Sequence, residues 1–400
     1  MNERFGAIDF DRFHAVDLPE RLAAGNGGLA AAHLQRCRPI AFRLEDGRAY
    51  TYTPMAAGIE ITPGEADAQT VIELTHADWC DFVWELKTCF ALLYAERIAV
   101  PVGTFGQLSR WEPALRAAFD GQPVYDFTAP PPVVDAEGNP LDLTTTFSLD
   151  DSDGDIVDFL RRAGFIHVRG VFSRDEVETL RAEVQKAVAK ARPDDQRSWW
   201  TTVDSAEVCN RVNYLNEQSE VIAGLSNDPR LTCIGALGGP ELRDAADRLD
   251  GHGVVIKVPG AETGLADLPW HRDCGMGGHP VKCPLLNVGI QLDAATPGSG
   301  QLQIIAGSHL GTSRLPSAEE VDGLPTIAIT TEPGDVTAHW GHTLHAAPPP
   351  TDRGAAGRRA IYVTYVNPLT FEMVGPGQGY NDVLFTRDAG RVRHVDEFTS

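Results

Sequence analysis

The chain has 400 residues, with 34 lysines and arginines against 56 aspartates and glutamates and a formal net charge of −22. Hydrophobic residues make up 42% and charged residues 22%, as in an ordinary packed protein, so wholesale disorder is excluded. Because the acidic excess is spread over both halves, the sequence offers no basic face for nucleic acid or for an anionic membrane surface.

The sequence also contains no apolar run of the ~20 residues that a membrane span requires. The N-terminal segment is too acidic and too interrupted for a signal peptide. The cysteines are scattered, odd in number and lack a Cys-x-x-Cys pair, which favours reduced thiols. We therefore expect a cytoplasmic protein without membrane insertion or a nucleic-acid partner, and the oligomeric state stays open.

The first part of the chain, residues 1–126, predicts a small α+β unit. Asp46-Gly47 between two strand-like runs is a strong hairpin signal. Thr75, with Asp78 three positions on, is typical of a helix N-terminus. In chain order we predict a helix at 20–36, a hairpin at 41–53, strands at 58–62 and 69–74, a helix from 75, and a helix near 108–119.

Residues 127–146 contain three consecutive prolines and a turn-rich Asp-Ala-Glu-Gly-Asn-Pro run, and they predict a semi-rigid linker. The linker separates residues 1–126 from a second domain at 147–400. In the second domain we predict a helix at 155–162 that Gly164 ends, a strand at 165–171, and a helix that Ser173 and Glu176 open as a capping box.

From about residue 253 the sequence consists of short β-like runs separated by proline and glycine turns. These runs are VVIKVP, LLNVGIQLD, QLQIIAG, PTIAITT and RAIYVTYV. Strands at this density, without long helices between them, predict an antiparallel sandwich or barrel.

Chemistry is concentrated in residues 268–280, LPWHRDCGMGGHP. His271 and Asp273 are two residues apart, so on a strand or extended edge both side chains lie on the same face. There an imidazole and a carboxylate can bind one metal ion. The pair alone is a weak signal, because His-x-Asp occurs by chance in many chains.

A third ligand is available in residues 338–350, AHWGHTLHAAPPP, which offer His339, His342 and His345. Two histidines and one carboxylate on three corners of an octahedron leave three open positions, the arrangement of non-haem Fe(II) oxygenases. Zinc hydrolases also use two histidines and a carboxylate, but the sequence lacks their His-Glu-x-x-His motif.

Residues from about 148 to 370 resemble the phytanoyl-CoA dioxygenase family of iron- and 2-oxoglutarate-dependent oxygenases. Five stretches follow the order of that family: DFLRRAGFIHVRGVFSRDEVETLRAEV, VVIKVPG before PWHRD, VGIQLDAATPGSGQLQIIAGSHLG, EPGDVTAHWGHTLHAAPPP and GRRAIYVTYVNP. The resemblance implies a C-terminal double-stranded β-helix, jelly-roll or cupin-like, with flanking helices. It also implies Fe(II) as cofactor, 2-oxoglutarate as cosubstrate and molecular oxygen as a reactant.

Carried over to this sequence, the resemblance makes His271, Asp273 and His345 the metal ligands. His345 precedes two small residues and lies thirteen residues before Arg358. We expect the competing histidines, His339 and His342, to line the cavity or pack. Because Asp273 is present, we expect hydroxylation or a related oxidation rather than halogenation.

Arg358 matches the arginine that pairs with the far carboxylate of 2-oxoglutarate in this family. Arg359 is the alternative, and since adjacent strand residues face opposite ways, only one of the two can serve. Lys257 and Gln291 are further candidates for cosubstrate contacts, although Lys257 could equally lie on a solvated strand edge. Ala346-Ala347 departs from the Gly-Ser pair that usually follows the distal histidine, so the cosubstrate contact of that serine is missing here.

Residues from about 20 to 122 resemble the sterol carrier protein type-two fold. The matching runs are FRLEDGRAYTY, VIELTHADW and VGTFGQLSRWEPALRAAF. The resemblance implies a lipid-transfer-like domain with an apolar tunnel for acyl chains or sterols. The alternative is a structural or dimerising domain that holds no lipid.

Together these features predict an Fe(II)- and 2-oxoglutarate-dependent dioxygenase. Its substrate is expected to be an apolar or amphipathic small molecule with an unactivated C–H bond that is hydroxylated or otherwise oxidised. The alternative is a non-catalytic lipid or acyl carrier on the same folds. A third possibility is a zinc or other metal enzyme on the same barrel.

Overall fold

The computed structural model describes residues 5–261, 268–273, 285–352, 357–379 and 382. They form a mixed α+β protein with three sheets whose strands are mostly antiparallel. None of the described helices is long and apolar enough to cross a bilayer.

The first sheet has the strand order β3-β2-β1-β4-β5. β1 and β2 form the predicted hairpin, with Gly47 at a φ of 88° in its turn. β1 pairs in parallel with β4, which needs a crossover connection. The elements of this part are β1 Ile40–Leu44, β2 Ala49–Met55, β3 Gly58–Pro63, β4 Thr70–Leu74, β5 Ile98–Val102, and helices α1 Phe10–Arg12, α2 Leu18–Arg21, α3 Gly27–Ala31, α4 His76–Val83, α5 Cys89–Tyr94 and α6 Phe105–Asp120.

The first helical region begins at Phe10, ten residues before the predicted start, and ends at Ala31 instead of residue 36. Its three short α-helices are joined by π-helical turns. Phe10 and Leu18 are buried in the N-terminal core, which explains the early start. Pro19 and Gly25 interrupt the periodicity that a sequence-based prediction uses, since Gly25 has a φ of 126°.

The second part begins with helices that pack on a large sheet. Ser173 and Glu176 form the predicted capping box, and Gly164 ends the preceding helix in the left-handed conformation. The predicted strand at 165–171 stops at Val168, because the backbone turns at Gly170, whose N–H donates to Asp335 Oδ1 at 2.9 Å. The helices are α7 Asp153–Ala163, α8 Arg174–Lys190, α9 Glu220–Ala223, α10 Pro229–Leu237, α11 Ala318–Val321 and α12 Pro368–Met373.

Two sheets enclose the core of this part. The large sheet has the order β6-β15-β12-β17-β10-β8-β7, with β9 paired to β17, and the small sheet has the order β11-β16-β13-β14. The strands are β6 Phe165–Val168, β7 Ser198–Val203, β8 Ala206–Val212, β9 Arg243–Asp244, β10 Gly253–Lys257, β11 Leu268–His271, β12 Leu285–Gln291, β13 Gln303–Ile305, β14 Thr326–Ala328, β15 Val336–Trp340, β16 His345–Ala347 and β17 Arg358–Val366.

The two parts of the chain have separate large hydrophobic cores. Between them, the segment after α6 lies against the small-sheet side of the second part. Tyr125 is buried with Ile305 and Leu344, and its N–H donates to Thr312 O at 2.7 Å. The boundaries 1–126, 127–146 and 147–400 stay a prediction.

Candidate metal centre

Two neighbouring strands of the small sheet bring together the three side chains of the predicted ligand set. His271 ends β11 and is paired with His345, the first residue of β16. Asp273 follows β11 by two residues, and its N–H donates to Gly341 O at 2.8 Å. One ligand atom from each of the three side chains lies within 4.8 Å of the other two. Residues 274–280 of the predicted segment lie outside the described residues.

Both imidazoles present Nε2 to the centre. His271 Nδ1 lies 2.6 Å from Pro269 O, and His345 Nδ1 lies 3.0 Å from Thr343 O. Since a carbonyl oxygen only accepts, each Nδ1 carries the proton and each Nε2 has a free lone pair. This backbone contact is the usual way in which a protein fixes the tautomer of a ligating histidine.

The Asp273 carboxylate lies between the two imidazoles. Each of its oxygens is 3.5 Å from one Nε2, Oδ1 from His271 and Oδ2 from His345. Burial alone would raise the pKa of Asp273, but the neighbouring histidines, His345 first, hold it well below the usual value. Burial lowers the pKa of His345 well below its usual value. A deprotonated carboxylate and neutral imidazoles are the forms that bind a metal ion.

Two residues of the large sheet hold this carboxylate from behind. Asn287 on β12 donates from Nδ2 to Asp273 Oδ2. Thr364 on β17 donates from Oγ1 to Asn287 Oδ1 at 2.7 Å, which fixes the orientation of the amide. The large sheet therefore supplies contacts that orient the Asp273 carboxylate.

The two competing histidines have different positions. His339 on β15 is 1% exposed, with Nε2 3.4 Å from Asp273 Oδ2 and its ring centroid 4.3 Å from that of His345. His342 belongs to the turn between β15 and β16, and its backbone oxygen accepts from Arg272 Nε. His339 thus lies beside the centre, and His342 packs beside Arg272.

Deeper in the large sheet lies Arg358, the predicted cosubstrate arginine. It is 2% exposed, its Nη1 donates to Gln291 Oε1 at 3.1 Å, and its Nε has no hydrogen-bond partner among the described residues. Arg359 on the opposite face pairs with Asp293 at 2.7 Å. Of the two arginines, the structure turns Arg358 inward.

The other two predicted contacts also lie on the inner face. Lys257 is directly opposite Arg358 in the pairing of β10 with β17. It is 1% exposed and donates to Ala347 O on β16, so it does not lie on a solvated strand edge. Gln291 Nε2 donates to Gly289 O and Thr337 Oγ1, so the amide oxygen is turned to Arg358.

Three residues near the centre were not predicted. Tyr362 shares the inner face of β17 with Arg358 and Thr364, and the two-residue period of that strand is the signal that would have found Tyr362 and Thr364. Arg272 lies between His271 and Asp273 in the chain and donates to four backbone oxygens, those of Ser308, Gly311, Ser313 and His342. The amino-acid sequence around Arg272 gives no signal for these contacts, because they depend on the positions of distant loops.

This donor set fits a divalent transition metal ion. Two imidazole nitrogens and one carboxylate oxygen lie within 4.8 Å of one another, and these are ligand types that Fe(II) accepts. The inward guanidinium of Arg358 adds a site for an anion on the same side of the large sheet.

Comparison with known proteins gives a family for the second part of the chain. The sequence model described as Phytanoyl-CoA dioxygenase (PhyH) matches residues 160–360, half of the chain. A search of curated proteins finds no match.

Several solved structures are similar to part of this chain. AviO1 from Streptomyces viridochromogenes Tue57 is 23% identical with a TM-score of 0.45, over 55% of this chain and 96% of that protein. EctD from S. alaskensis, solved with 2-oxoglutarate and 5-hydroxyectoine, is 21% identical with a TM-score of 0.46, over 57% and 81%. SnoN, a non-haem α-ketoglutarate-dependent epimerase from nogalamycin biosynthesis, is 21% identical with a TM-score of 0.41, over 54% and 82%. Since all three TM-scores are below 0.5, the functional assignment of this chain depends on the family match.

Proposed function

Because the chain belongs to the phytanoyl-CoA dioxygenase family, we propose that His271, Asp273 and His345 hold the iron ion of a 2-oxoglutarate-dependent dioxygenase. The protein is a non-haem iron enzyme with 2-oxoglutarate as its cosubstrate. The observation that carries the ligand assignment is the convergence of three ligand atoms within 4.8 Å, with both Nε2 lone pairs turned to the centre.

When bound, iron and 2-oxoglutarate supply an oxidant derived from molecular oxygen. The protein's task is to bind the cosubstrate, orient the substrate carbon and exclude water. Asp273 and the two imidazoles would supply three ligands to the iron ion, which would leave positions for cosubstrate and oxygen.

Arg358 is assigned to the far carboxylate of 2-oxoglutarate. A buried guanidinium needs an anionic partner, because an uncompensated buried charge is costly. No described carboxylate lies within ion-pair distance of Arg358, and its Nε is without a partner there. A planar guanidinium donates two parallel hydrogen bonds to a carboxylate. Gln291 and Lys257 are assigned to the same cosubstrate site, since the first orients Arg358 and the second lies opposite it.

We assign the two antiparallel sheets of residues 147–400 to a double-stranded β-helix, with 127–146 as the linker.

The substrate is assigned as an apolar or amphipathic small molecule that is hydroxylated or otherwise oxidised at an unactivated C–H bond. Residues 1–126 are assigned to a sterol carrier protein-like domain that presents such a molecule to the second domain. The protein is assigned to the cytoplasm.

The ligand assignment is tested by anaerobic titration of the full-length protein with Fe(II) and 2-oxoglutarate. We expect a weak visible charge-transfer band from chelation of the 2-oxo acid, and succinate formation once oxygen is admitted. His345→Ala and Asp273→Ala should lose the band. His342→Gln should keep it, because His342 does not reach the centre.

Two results would overturn the assignment. Absence of the band in the wild-type protein excludes the proposed centre, and loss of the band in His342→Gln but not in His345→Ala excludes His345 as the ligand. The carrier alternative predicts instead lipid that co-purifies with a protein that neither binds iron nor forms succinate.

A further inference from the structure

We propose that His339 is a positioning residue that holds Asp273 for metal binding by donating a hydrogen bond from its Nε2–H to Asp273 Oδ2. This inference rests on the proposed function, because it takes Asp273 as an iron ligand. It gives a role to a buried histidine that is not part of the ligand set.

His339 approaches the Asp273 carboxylate at Oδ2. Its Nε2 lies 3.4 Å from Asp273 Oδ2, the same oxygen that accepts from Asn287 Nδ2. Its Nδ1 is buried and has no hydrogen-bond partner among the described residues. The carboxylate is therefore the polar group that His339 contacts, and a side chain that is 1% exposed has no water shell to replace it.

Asp273 needs such support because it lies outside regular structure. β11 ends at His271, so the backbone of Asp273 is held by its own bond to Gly341 O and by no strand ladder. Asn287 and His339, by contrast, are paired residues of β12 and β15, two strands of the large sheet that each have a neighbour on both sides. Two donors from this rigid platform fix Oδ2 and leave Oδ1, which faces His271 Nε2, as the ligand oxygen.

The competing role for His339 is that of a fourth metal ligand. Three protein ligands leave three open positions on an octahedral ion, which a chelating 2-oxo acid and oxygen fill completely. A fourth protein ligand would remove one of them. His339 does not belong to the group of side chains whose ligand atoms all lie within 4.8 Å of one another, which agrees with support of Asp273 and not with ligation.

The hydrogen bond is tested with three variants of the full-length protein and cobalt(II) as a spectroscopic probe, added alone. His339→Gln keeps an N–H donor at about the position of Nε2, whereas His339→Phe keeps the ring shape and loses the donor. His339→Asn keeps a polar side chain that is too short to reach Oδ2, and it serves if the phenylalanine variant does not fold. Thermal unfolding of the metal-free variants checks the fold, and His342→Gln is the matched control.

We expect His339→Phe and His339→Asn to raise the dissociation constant for cobalt(II) by about 10- to 100-fold, the usual effect of removing the support of a ligand. His339→Gln and His342→Gln should bind cobalt(II) like the wild type, with unchanged d–d absorption. Equal binding by all variants would show that His339 does not position Asp273. Weak binding by His339→Gln with a changed d–d spectrum would make His339 a ligand and also overturn the proposal. If the wild type itself binds no metal, the proposed function fails instead.

Discussion

Arg358 and Arg359 are consecutive residues of β17 whose guanidinium groups lie on opposite faces of the large sheet. Arg359 is held outside by Asp293, with Nε–Oδ2 at 2.7 Å and Nη2–Oδ1 at 2.9 Å. Arg358 is inside and donates to the amide oxygen of Gln291. One strand thus carries an ion-paired arginine on its outer face and, on its inner face, an arginine whose Nε has no hydrogen-bond partner among the described residues.

Replacing these two arginines should therefore have different effects. We expect Arg358→Gln to raise the KM for 2-oxoglutarate at least ~10-fold, because charge-assisted hydrogen bonds of about 1.5–3 kcal/mol are lost. Arg359→Gln should leave this KM unchanged and cost little stability, because its pair with Asp293 is partly exposed. Steady-state succinate formation measures both. Equal KM values for the two variants would refute the assignment of Arg358.

Arg272 is predicted to be a main support of the loops around the centre. Its guanidinium donates to four backbone oxygens at 2.7–3.0 Å, and lysine cannot reach all four from one ammonium. We expect Arg272→Lys to lower the free energy of unfolding by about 3 kcal/mol, because buried carbonyl groups lose their donors.

Urea unfolding of the metal-free protein measures this loss. Arg197→Lys is the control, since the pair of Arg197 with Glu217 is exposed and should contribute less than about 1 kcal/mol. An unfolding free energy of Arg272→Lys equal to that of the control contradicts the prediction.

His14 should make the N-terminal part sensitive to acid. Its Nδ1 donates to Phe10 O at 2.6 Å, its Nε2 accepts from the Tyr52 hydroxyl at 2.8 Å, and burial lowers its pKa from 6.5 to about 4. Between pH 6.5 and about pH 4, His14 binds a proton in the unfolded chain but not in the folded chain. Stability from the neutral imidazole is therefore complete above pH 6.5 and falls until about pH 4, by about 3 kcal/mol.

Unfolding of the wild type and of His14→Gln from pH 8 to pH 4 checks this sign. The variant is expected to be less stable at pH 8 but to lose less stability on acidification. Parallel pH profiles would show that His14 is not the group responsible.

Gly289 is predicted to keep space for Tyr362 on the inner face. A Cβ atom at this position would lie 2.9 Å from Tyr362 Cε1 and 3.2 Å from Gln291 Nε2. In Gly289→Ala the ring has to shift, and we expect several-fold weaker 2-oxoglutarate binding in the charge-transfer titration. Gly224→Ala is the control, because nothing lies within 4 Å of its Cβ. Wild-type affinity in Gly289→Ala would rule out a tightly packed site.

Local patterns predicted much of this structure. The hairpin at Asp46-Gly47 and the capping box of α8 depend on neighbouring residues only, and both are present. The predicted third ligand, His345, lies about seventy residues after His271 and Asp273. Spacing alone left His339, His342 and His345 as candidates, and only the order of motifs in the family selected His345.

What the sequence could not predict depends on long-range placement. The contacts of Arg272 join loops that are far apart in the chain, and the approach of His339 to Asp273 depends on how the two sheets face each other. Strand periodicity assigns His339 to a face, but not to a partner on another sheet.

His271 and His345 belong to the small sheet, whereas Arg358 belongs to the large one. A dicarboxylate bound at one end near the histidines and at the other end by the arginine would connect the two sheets. Binding of 2-oxoglutarate should then reduce the motion of the two sheets relative to each other. Amide hydrogen exchange should become slower in both β16 and β17, one strand of each sheet, and not in one of them alone.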